Sequence, residues 1–333
     1  MKQSDNTVSF PKFVEALWYT GPQTCEVRAE ELPDAGADAV FVRTLASAVS
    51  CGTERLVCRG KVPETEWERM RAPFQDGAFP FPVKYGYACV GEVLDTAGQT
   101  DGQRVFCLHP HQTGFRVSID QCVSVPDTVP DERAALAANM ETALNALWDG
   151  KPSLADHICV VGGGVVGLLT AYLCARIPGT VVSVVDVNPA RRAIVEAFGC
   201  RFCLSGVAPT DQDLVFHASA SAAGLETALR AAGREATVVE MSWYGADPVA
   251  VRLGAEFHSR RLVLRSSQVG TIPQGRSQRW TFRRRLSAAM ALLDDPLLDR
   301  LITHRISFRD LPSVLPRLLT QEKDVLAPIV LYP

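Results

Sequence analysis

The stretch that decides the fold is Val160-Val161-Gly162-Gly163-Gly164-Val165-Val166-Gly167. It contains the pattern G-x-G-x-x-G at Gly162, Gly164 and Gly167, directly after one apolar run and directly before another. This spacing is typical of the turn between the first strand and the first helix of a nucleotide-binding α/β sheet, and it is informative only in that context.

The sequence on both sides of the glycines supplies that context. Continuous apolar runs predict strands that are covered by helices on both faces, and helical periodicity alternates with them. The predicted strands are 157–161, 181–185, 213–217, 236–241 and 261–265, and the predicted helices are 165–176, 189–198 and 221–232. This βαβ alternation predicts a doubly wound parallel sheet.

The glycine stretch therefore predicts a dinucleotide site. Gly162 permits the tight turn, Gly164 lets the backbone approach a pyrophosphate, and Gly167 lets the helix pack closely on the strand. Backbone N–H groups at the start of the helix, from Val165 and Val166, then face the phosphate charge. The alternative is a glycine turn in an α/β sheet that binds no ligand.

The end of the second predicted strand bears on which dinucleotide is bound. Asp186 lies about 20 residues beyond the glycines and is followed by Val187 and Asn188. A carboxylate there accepts hydrogen bonds from ribose hydroxyls and repels a 2′-phosphate, which favours NAD over NADP. Arg191 and Arg192 follow closely and are the residues that would serve a phosphate instead.

Composition limits the other classes of function. The 333 residues carry 34 Lys+Arg against 37 Asp+Glu, so nothing indicates a nucleic-acid surface. Residues 158–175 contain no charged residue, which is a feature of membrane-spanning helices. The three consecutive glycines within them disfavour a continuous helix, which argues against a membrane span. The polar N-terminus, and cysteines that mostly lie in apolar runs, favour a reduced cytoplasmic chain. Cys200 and Cys203 form a single C-x-x-C motif, and without a second such motif they do not predict a zinc site.

The predicted organisation is two domains. Residues 1–137 are rich in strands and turns, and they are completed by 278–333, where helices near 282–293 and 311–320 alternate with strands near 304–308 and 327–331. Residues 138–277 form the nucleotide domain. A helix is predicted from Asp131 to Trp148, with acidic residues in its first turn.

At this point the chain resembles the medium-chain dehydrogenase/reductase superfamily, the alcohol dehydrogenase type. The stretches that carry the resemblance, beyond the glycines, are Ser50-Cys51-Gly52-Thr53-Glu54-Arg55, Lys84-Tyr85-Gly86-Tyr87-Ala88-Cys89-Val90-Gly91 and Leu301-Ile302-Thr303-His304. Within the superfamily they are most similar to the branch of the bacteriochlorophyllide hydroxyethyl dehydrogenase. The resemblance implies a GroES-like catalytic domain, a Rossmann domain and a homodimer formed through the nucleotide domains.

The resemblance also implies a degraded zinc site. Cys51 falls on the first zinc ligand of the family and Thr53 on its proton-relaying hydroxyl, but Tyr87 replaces the second ligand, a His, and Ala138 the third. A catalytic zinc needs three donors and an open position, so these residues argue against zinc. Residues 93–104 also lack the four-cysteine structural lobe of many zinc members. The alternative is a shifted site using Cys51, Glu141 and either His109 or His111.

Hydride transfer without zinc still needs a proton path and charge stabilisation at the carbonyl oxygen. Tyr87 is the candidate proton donor, and Thr53 is the candidate relay. His109 and Glu141 are further catalytic candidates. Cys51 is either a reactive thiol or an unreactive remnant of the zinc site. Thr142 marks where the family helix approaches the nicotinamide. Other residues near predicted strand ends are expected to line the cofactor: Ser219, Met241, Ser242, Ser266 and Gln268.

The expected function is an NAD(P)-dependent oxidoreductase that interconverts an alcohol and a carbonyl, or reduces a polarised double bond. The competing class is a dinucleotide-binding redox sensor without catalysis. The basic cluster of Arg276, Arg279, Arg283, Arg284 and Arg285, with Trp280 and Phe282, is either a solvated helix face or a site for a carboxylated planar substrate.

Overall fold

A computed structural model describes residues 11–32, 39–94 and 100–333 of the chain. The polar N-terminus discussed above, and part of the segment 93–104, lie outside these residues. The chain divides into two compact units: residues up to Ala138 together with Ile302–Pro333, and Asn139–Leu301. The C-terminal return to the first unit therefore begins at Ile302, whereas the sequence analysis placed it at 278.

The first unit consists mostly of strands, as its turn-rich sequence predicts. Its strands before the second unit are β1 (Phe13–Gly21), β2 (Thr24–Glu31), β3 (Ala39–Ala48), β4 (Asp76–Gly77), β5 (Val83–Lys84), β6 (Cys89–Leu94), β7 (Thr100–Cys107), β8 (Gly114–Ser118) and β9 (Cys122–Ser124). Two short helices interrupt them, α1 (Cys51–Cys58) and α2 (Asp131–Ala134). The helix predicted from Asp131 to Trp148 is thus divided, and its second part is α3 (Ala137–Gly150).

The second unit alternates strands and helices. Its strands are β10 (His157–Val161), β11 (Val181–Asp186), β12 (Arg201–Leu204), β13 (Gln212–His217), β14 (Ala232–Glu240) and β15 (Val263–Ser266). Its helices after α3 are α4 (Val165–Cys174), α5 (Arg192–Ala197), α6 (Ala222–Ala231), α7 (Gln274–Ser277) and α8 (Phe282–Ala291). The chain then returns to the first unit as β16 (Ile302–Ser307), α9 (Leu311–Thr320) and β17 (Ala327–Leu331).

Two sheets form the described part of the first unit. One has the order β2-β1-β5-β4, and the other has the order β16-β17-β3-β6-β7-β9, with β8 also paired to β3. The C-terminal strand β17 is antiparallel to β3 and places Val330 beside Ser47, so the end of the chain is part of this sheet.

The sheet of the second unit has the order β12-β11-β10-β13-β14-β15, and all its neighbouring strands are parallel. Numbered within the unit, this is the order 3-2-1-4-5-6 of a doubly wound dinucleotide-binding sheet. The strand order reverses between β10 and β13, and the crevice at the carboxyl ends of those two strands is where such sheets bind ligands.

The uncharged run of residues 158–175 is divided between strand β10 and helix α4. Of the ten residues in α4, nine are buried, which explains why the sequence is apolar on every face of this helix. None of the helices in the described ranges has the length and apolar character needed to cross a bilayer.

Candidate active site

The glycine turn has the geometry that its sequence predicts. Gly162 adopts φ +112°, and a Cβ on this residue would lie 2.7 Å from the Ser219 backbone nitrogen. A Cβ on Gly167 would lie 1.9 Å from the carbonyl oxygen of Gly162. Neither position therefore accommodates a side chain. At Gly162 the obstacles are the positive φ and the crowding by Ser219, and at Gly167 the obstacle is the close contact between the helix and the turn.

Gly164, in contrast, faces open space. A Cβ built on it would meet no described atom within 4 Å, although it is the residue that precedes α4. The N-cap residue, Gly164, has no side chain to cap this helix, and the first turn, beginning Val165-Val166, contains no acid. Free N–H groups and the positive end of a helix dipole therefore face an open space, which fits the pyrophosphate of a dinucleotide.

Asp186 lies at the end of β11 and is bonded to the glycine turn. Its Oδ2 accepts a hydrogen bond from the Gly163 N–H at 2.6 Å, and its Oδ1 accepts one from the Asn188 N–H at 2.7 Å. Val187 between them is 79% exposed. Asp186, the residue predicted to accept hydrogen bonds from the ribose, thus also fixes the glycine turn. Each of its carboxylate oxygens keeps a lone pair that can accept a further hydrogen bond.

The two arginines that follow Asp186 have different environments. Arg191 is buried, whereas the Arg192 guanidinium lies 3.3 Å from Glu196 and 4.8 Å from the centre of the Phe202 ring. Arg192 therefore already has an acidic partner one helical turn away.

The remaining predicted lining residues all belong to the second unit and lie at or near the carboxyl ends of its strands. Ser219 follows β13, Met241 and Ser242 follow β14, Ser266 ends β15, and the Gln268 side chain accepts a hydrogen bond from Gly270. Thr142 is half-buried on α3. Strand register thus places Ser219, Met241 and Ser266 at one edge of the sheet, as the sequence predicts.

Glu141 forms a buried ion pair. The Arg285 Nε donates to Glu141 Oε1 at 2.9 Å, and Nη1 of the same guanidinium donates to Asn145 Oδ1 at 2.6 Å. Arg285 also donates to the carbonyls of Val269 and Thr271. Burial raises the pKa of Glu141, and Arg285 offsets part of that effect. The carboxylate of Glu141 is therefore bound to a buried guanidinium within the second unit.

In the first unit, Tyr87 lies with two hydroxyl side chains. Its phenol is hydrogen-bonded to Ser50 and Thr53, at the start of α1. Burial raises the pKa of Tyr87 to about 12, and the two hydrogen bonds act in the opposite direction. Cys51, the next residue after Ser50, is buried, with its Sγ 3.9 Å from the Val49 carbonyl. The structure thus brings together Tyr87 and Thr53, two of the predicted catalytic residues.

His109 lies in an aromatic stack rather than in a polar site. Its ring is parallel to Phe115 with centroids 3.9 Å apart, and Phe74 lies on it at 5.1 Å. Burial lowers the pKa of His109 to about 3, so the ring stays neutral. The polar contact of the ring is from Nδ1 to the Pro110 carbonyl oxygen, at 3.1 Å.

Sequence reasoning did not identify the acid that organises this region. Glu54 accepts hydrogen bonds from the Tyr19 hydroxyl at 2.8 Å and from the Ser50 N–H at 2.7 Å, and its Oε2 lies 3.2 Å from His111 Nε2. The other ring nitrogen of His111 shares a hydrogen bond of 2.7 Å with Ser47. No signal in the sequence singles out Glu54, because α1 also carries the charged Arg55 and the polar Thr53.

The donors of the family zinc site are not present at these positions. Cys51, Tyr87 and Ala138 offer one thiol, one phenol and one methyl group, which do not fit a catalytic zinc. In the shifted alternative, both nitrogens of His111 and the carboxylate of Glu141 already have partners. Within residues 11–32, 39–94 and 100–333, no three His, Cys, Asp or Glu side chains are grouped to hold a metal ion.

Comparisons with known proteins agree with this architecture. No family model matches the chain. Sorbitol dehydrogenase of Rattus norvegicus is 26% identical over 167 residues, covering 47% of this chain and 47% of its own. The 2-desacetyl-2-hydroxyethyl bacteriochlorophyllide A dehydrogenase of Cereibacter sphaeroides is 27% identical over 202 residues, covering 55% and 59%. The chain spans about half the length of these curated relatives.

Solved structures match almost the whole chain. A candidate zinc-binding dehydrogenase from Sinorhizobium meliloti 1021, bound to NADP, has a TM-score of 0.74 at 18% identity and covers 96% of this chain and 100% of its own. An alcohol dehydrogenase from Escherichia coli CFT073, complexed with NADH, has a TM-score of 0.74 at 16% identity and the same coverage.

The chain therefore has the GroES-like plus Rossmann fold of the medium-chain alcohol dehydrogenases. In sequence the chain is similar both to sorbitol dehydrogenase and to the bacteriochlorophyllide dehydrogenase, each over about half of its length.

Proposed function

We propose that this protein is a nicotinamide dinucleotide-dependent oxidoreductase that interconverts an alcohol and a carbonyl, or reduces a polarised double bond, without catalytic zinc. The observation that carries the proposal is the open space at Gly164, before an uncapped α4 and at the point where the strand order reverses. The structural neighbours that bind NADP and NADH support the same class of cofactor.

The preferred dinucleotide in this proposal is NAD. Two backbone N–H groups hold the carboxylate of Asp186 at the end of β11, where it accepts hydrogen bonds from ribose hydroxyls and repels a 2′-phosphate.

Tyr87 is the proton donor in the proposed reaction. A bound dinucleotide would supply the hydride for the substrate carbon, and the Tyr87 hydroxyl would supply the proton for the carbonyl oxygen, which together give the alcohol. An alkoxide is a stronger base than a tyrosinate, so this transfer is favourable even though the pKa of Tyr87 is about 12. The hydroxyls of Ser50 and Thr53 stabilise the tyrosinate, and the half-buried Thr53 relays a proton from water back to it.

The other predicted catalytic residues have no part in this proton path. His109 is neutral and stacked between two phenylalanines, and Glu141 is bonded to Arg285. Cys51 lies beside the Tyr87 site as a buried thiol. We assign all three to packing or to the support of neighbouring groups.

The proposed substrate carries a planar ring system and a carboxylate. Trp148 and Trp280 lie with ring centres 4.8 Å apart, and the guanidinium groups of Arg276 and Arg284 lie over these rings at 5.0 and 4.1 Å. A surface concavity of about 430 Å³ is lined by Trp280 and by Arg276, Arg279 and Arg284, whereas Trp148 is buried behind Trp280. Arginine forks recognise carboxylates, and tryptophan faces stack on planar ligands.

A homodimer formed through the second unit completes the proposal. Strand β15 is one of the two outer strands of the sheet, all four of its residues are exposed, and Val263 and Leu264 are 44% and 38% exposed. An outer strand with apolar side chains favours pairing with a second copy of itself.

The test is NADH oxidation by purified protein across a panel of carbonyl, quinone and enone substrates. Tyr87→Phe should lower kcat at least 100-fold without weakening NADH binding, which is the usual size of a general-acid contribution of about 10²–10⁴. Tyr85→Phe is the matched control, because it removes a neighbouring buried phenol whose ring centre lies 6.0 Å from that of Tyr87.

Three other outcomes would each reject one part of the proposal. Undiminished turnover in Tyr87→Phe would remove Tyr87 as the donor. Tight NADH binding with no turnover on any substrate would indicate a redox sensor. One tightly held zinc per chain by elemental analysis, with activity lost to a chelator, would replace the zinc-free mechanism with a shifted metal site.

A further inference from the structure

Cys107 and Cys122 face each other on neighbouring antiparallel strands of the first unit. Cys107 ends β7 and Cys122 begins β9, and the strand register places the two residues directly opposite one another. Their thiols are hydrogen-bonded to each other, and both residues are buried. Sequence analysis noted that the cysteines mostly lie in apolar runs, but it did not identify this pair.

The backbone hydrogen bonds show that this is the closer of the two kinds of antiparallel pair. The Val125 N–H donates to the Arg104 carbonyl at 2.9 Å, which makes these two residues a hydrogen-bonded pair. Hydrogen-bonded and non-hydrogen-bonded pairs alternate along antiparallel strands, so Cys107 and Cys122, three positions further along, form a non-hydrogen-bonded pair. The Cα atoms of such a pair are about 4.5 Å apart, within the range of about 4.4–6.8 Å that a disulfide spans.

Cys89 is the other cysteine beside Cys107, but its position is less suitable for a disulfide. It lies opposite Cys107 on β6, on the side toward which the backbone N–H and C=O of Cys107 point. The two residues are therefore a hydrogen-bonded pair, with Cα atoms about 5.5 Å apart and side chains further from each other than in the closer kind of pair. The Cys89 thiol instead donates to the carbonyls of His109 and Pro110, both at 3.2 Å.

Strand β9 lies at the edge of its sheet and is short. It has three residues, and in the described part of the first unit it pairs with β7 alone. The turn Ile119–Gln121 that precedes it is exposed. Edge segments with few hydrogen bonds open locally more easily than the centre of a sheet, so a small oxidant reaches the two thiols when β9 opens.

While β9 is closed, the pair is protected from oxidation. The hydrogen bond with Cys122 and burial raise the pKa of the Cys107 thiol, and the thiolate is the form that reacts with oxidants. Val105 and Phe115 belong to the same buried apolar cluster as the two cysteines. Oxidation of this pair should therefore be slow, at a rate set by the opening of β9.

We propose that Cys107 and Cys122 are a modification site at which a hydroperoxide forms a reversible disulfide between β7 and β9. This inference is independent of the proposed function. In the open strand, the Cys122 thiolate attacks the O–O bond of hydrogen peroxide, which gives a sulfenic acid on Cys122 and one water. The Cys107 thiolate then attacks that sulfur, the S–O bond breaks, and a second water leaves as the disulfide forms. The two thiols lose two electrons to the peroxide, and their two protons end in the two waters.

The short separation of the two residues makes the bond easy to reduce. A Cα separation of about 4.5 Å is near the lower limit for a disulfide, and disulfides far from the preferred geometry are strained and more readily reduced. Dithiothreitol should therefore restore both thiols in the native protein.

Tryptic peptide mapping of the full chain tests the proposal, because cleavage after Arg104, Arg116 and Arg133 places the two cysteines in separate peptides. The native protein is treated with hydrogen peroxide, the remaining thiols are blocked, and the digest is analysed by mass spectrometry without reduction. Peptides 105–116 and 117–133 should be joined, with a mass two hydrogens below their sum, and dithiothreitol should separate them. The absence of this linkage would overturn the proposal.

Two variants identify the cysteines that react. Cys122→Ala should abolish the linkage. Cys89→Ala is the matched control, because it removes the other buried thiol opposite Cys107 and should leave the linkage in place. A linkage of peptide 105–116 to the peptide that contains Cys89, in place of the expected one, would assign the disulfide to the other pair and overturn the proposal.

Arg104→Lys tests the opening of β9 as the route of oxidation. Arg104 donates to the Val129 carbonyl at 3.0 Å, to Asp131 at 2.8 Å and to the Pro126 carbonyl at 3.0 Å, so its guanidinium holds the segment after β9 against β7. Lysine keeps the charge and the tryptic cleavage site but lacks the fork. Loss of one such hydrogen bond corresponds to about fivefold to tenfold more opening, so the linkage should form faster by the same factor. An unchanged or lower rate would reject this route.

Discussion

The carboxylate of Glu54 and the imidazole of His111 lie 3.2 Å apart, and neither side chain has any solvent exposure. They join two distant parts of the first unit, α1 and the segment between β7 and β8. Tyr19 bonds the carboxylate, and Ser47 connects the imidazole to the Tyr332 hydroxyl near the C-terminus. This buried network therefore ties the region of Tyr87 to the C-terminal segment.

Removal of one partner of this pair should strongly destabilise the protein. Glu54→Gln leaves His111 and Tyr19 without their anionic acceptor, at an expected cost of about 3–5 kcal/mol in the free energy of unfolding. Urea denaturation at neutral pH measures this cost. Glu68→Gln, at an exposed position of the same unit, should change stability by less than about 0.5 kcal/mol. A loss below about 1 kcal/mol in Glu54→Gln would show that the pair is dispensable.

The same pair should make the protein sensitive to acid. Burial tends to raise the pKa of Glu54, but His111 and the bonds from Ser50 and Tyr19 bring it below its ordinary value. The stabilisation is thus complete above the pKa of an unfolded glutamate, about 4.3, and is lost as pH falls through the lower folded value. Stability measured from pH 6 downward should fall less steeply in Glu54→Gln than in wild type. Parallel curves would contradict this assignment.

Two glycines of the turn should respond differently to the same substitution. Gly167→Ala forces a methyl group against the Gly162 carbonyl and should lower the melting temperature by several degrees. Gly164→Ala meets no described atom and should fold normally, but its methyl group occupies the approach of the pyrophosphate and should weaken NADH binding more than tenfold. Thermal melts and calorimetry separate the two effects. Full NADH affinity in Gly164→Ala would place the cofactor elsewhere.

Asp186 should control the choice of dinucleotide. Asp186→Asn removes the charge that repels a 2′-phosphate, so the ratio of the Kd for NADPH to the Kd for NADH should fall about tenfold. The weakened bond to Gly163 affects both ligands and cancels in the ratio. An unchanged ratio, or a wild type that prefers NADPH, would reject the assignment of NAD.

Strand β15, at the edge of the sheet of the second unit, should form the homodimer interface. Leu264→Lys places a charge on β15 and should convert a dimer to a monomer in light scattering coupled to size exclusion. Val207→Lys changes an equally apolar side chain that is 72% exposed elsewhere in the unit, and it should remain dimeric. A monomeric wild type would exclude the dimer at the concentrations used.

The sequence predicts the second unit well because continuous apolar runs mark strands that are buried on both faces. Strand 157–161 and the start of helix 165–176 coincide with β10 and α4. Strand β12 was missed. It has four residues, lies at the outer edge of the sheet, and exposes Arg201 and Leu204, so it lacks a continuous apolar run.

The buried histidine–glutamate contacts could not be predicted in the same way. Glu54 and His111 are 57 residues apart, and His217 and Glu240 are 23 apart. Periodicity reports which face of an element is buried, but it does not encode which distant polar groups meet there. The family resemblance directed attention to Tyr87 and Thr53, which the structure brings together, and to His109, which it places in an aromatic stack.

Arg285 restricts insertions and deletions in the segment that follows β15. One guanidinium bonds two side chains of α3 and two carbonyls of the segment that follows β15. Because its fork is rigid, an inserted or deleted residue between Val269 and Thr271 would pull at least one carbonyl away from it. Natural variants and engineered insertions should therefore keep the length of this connection fixed, and Lys should be a poor replacement for Arg285.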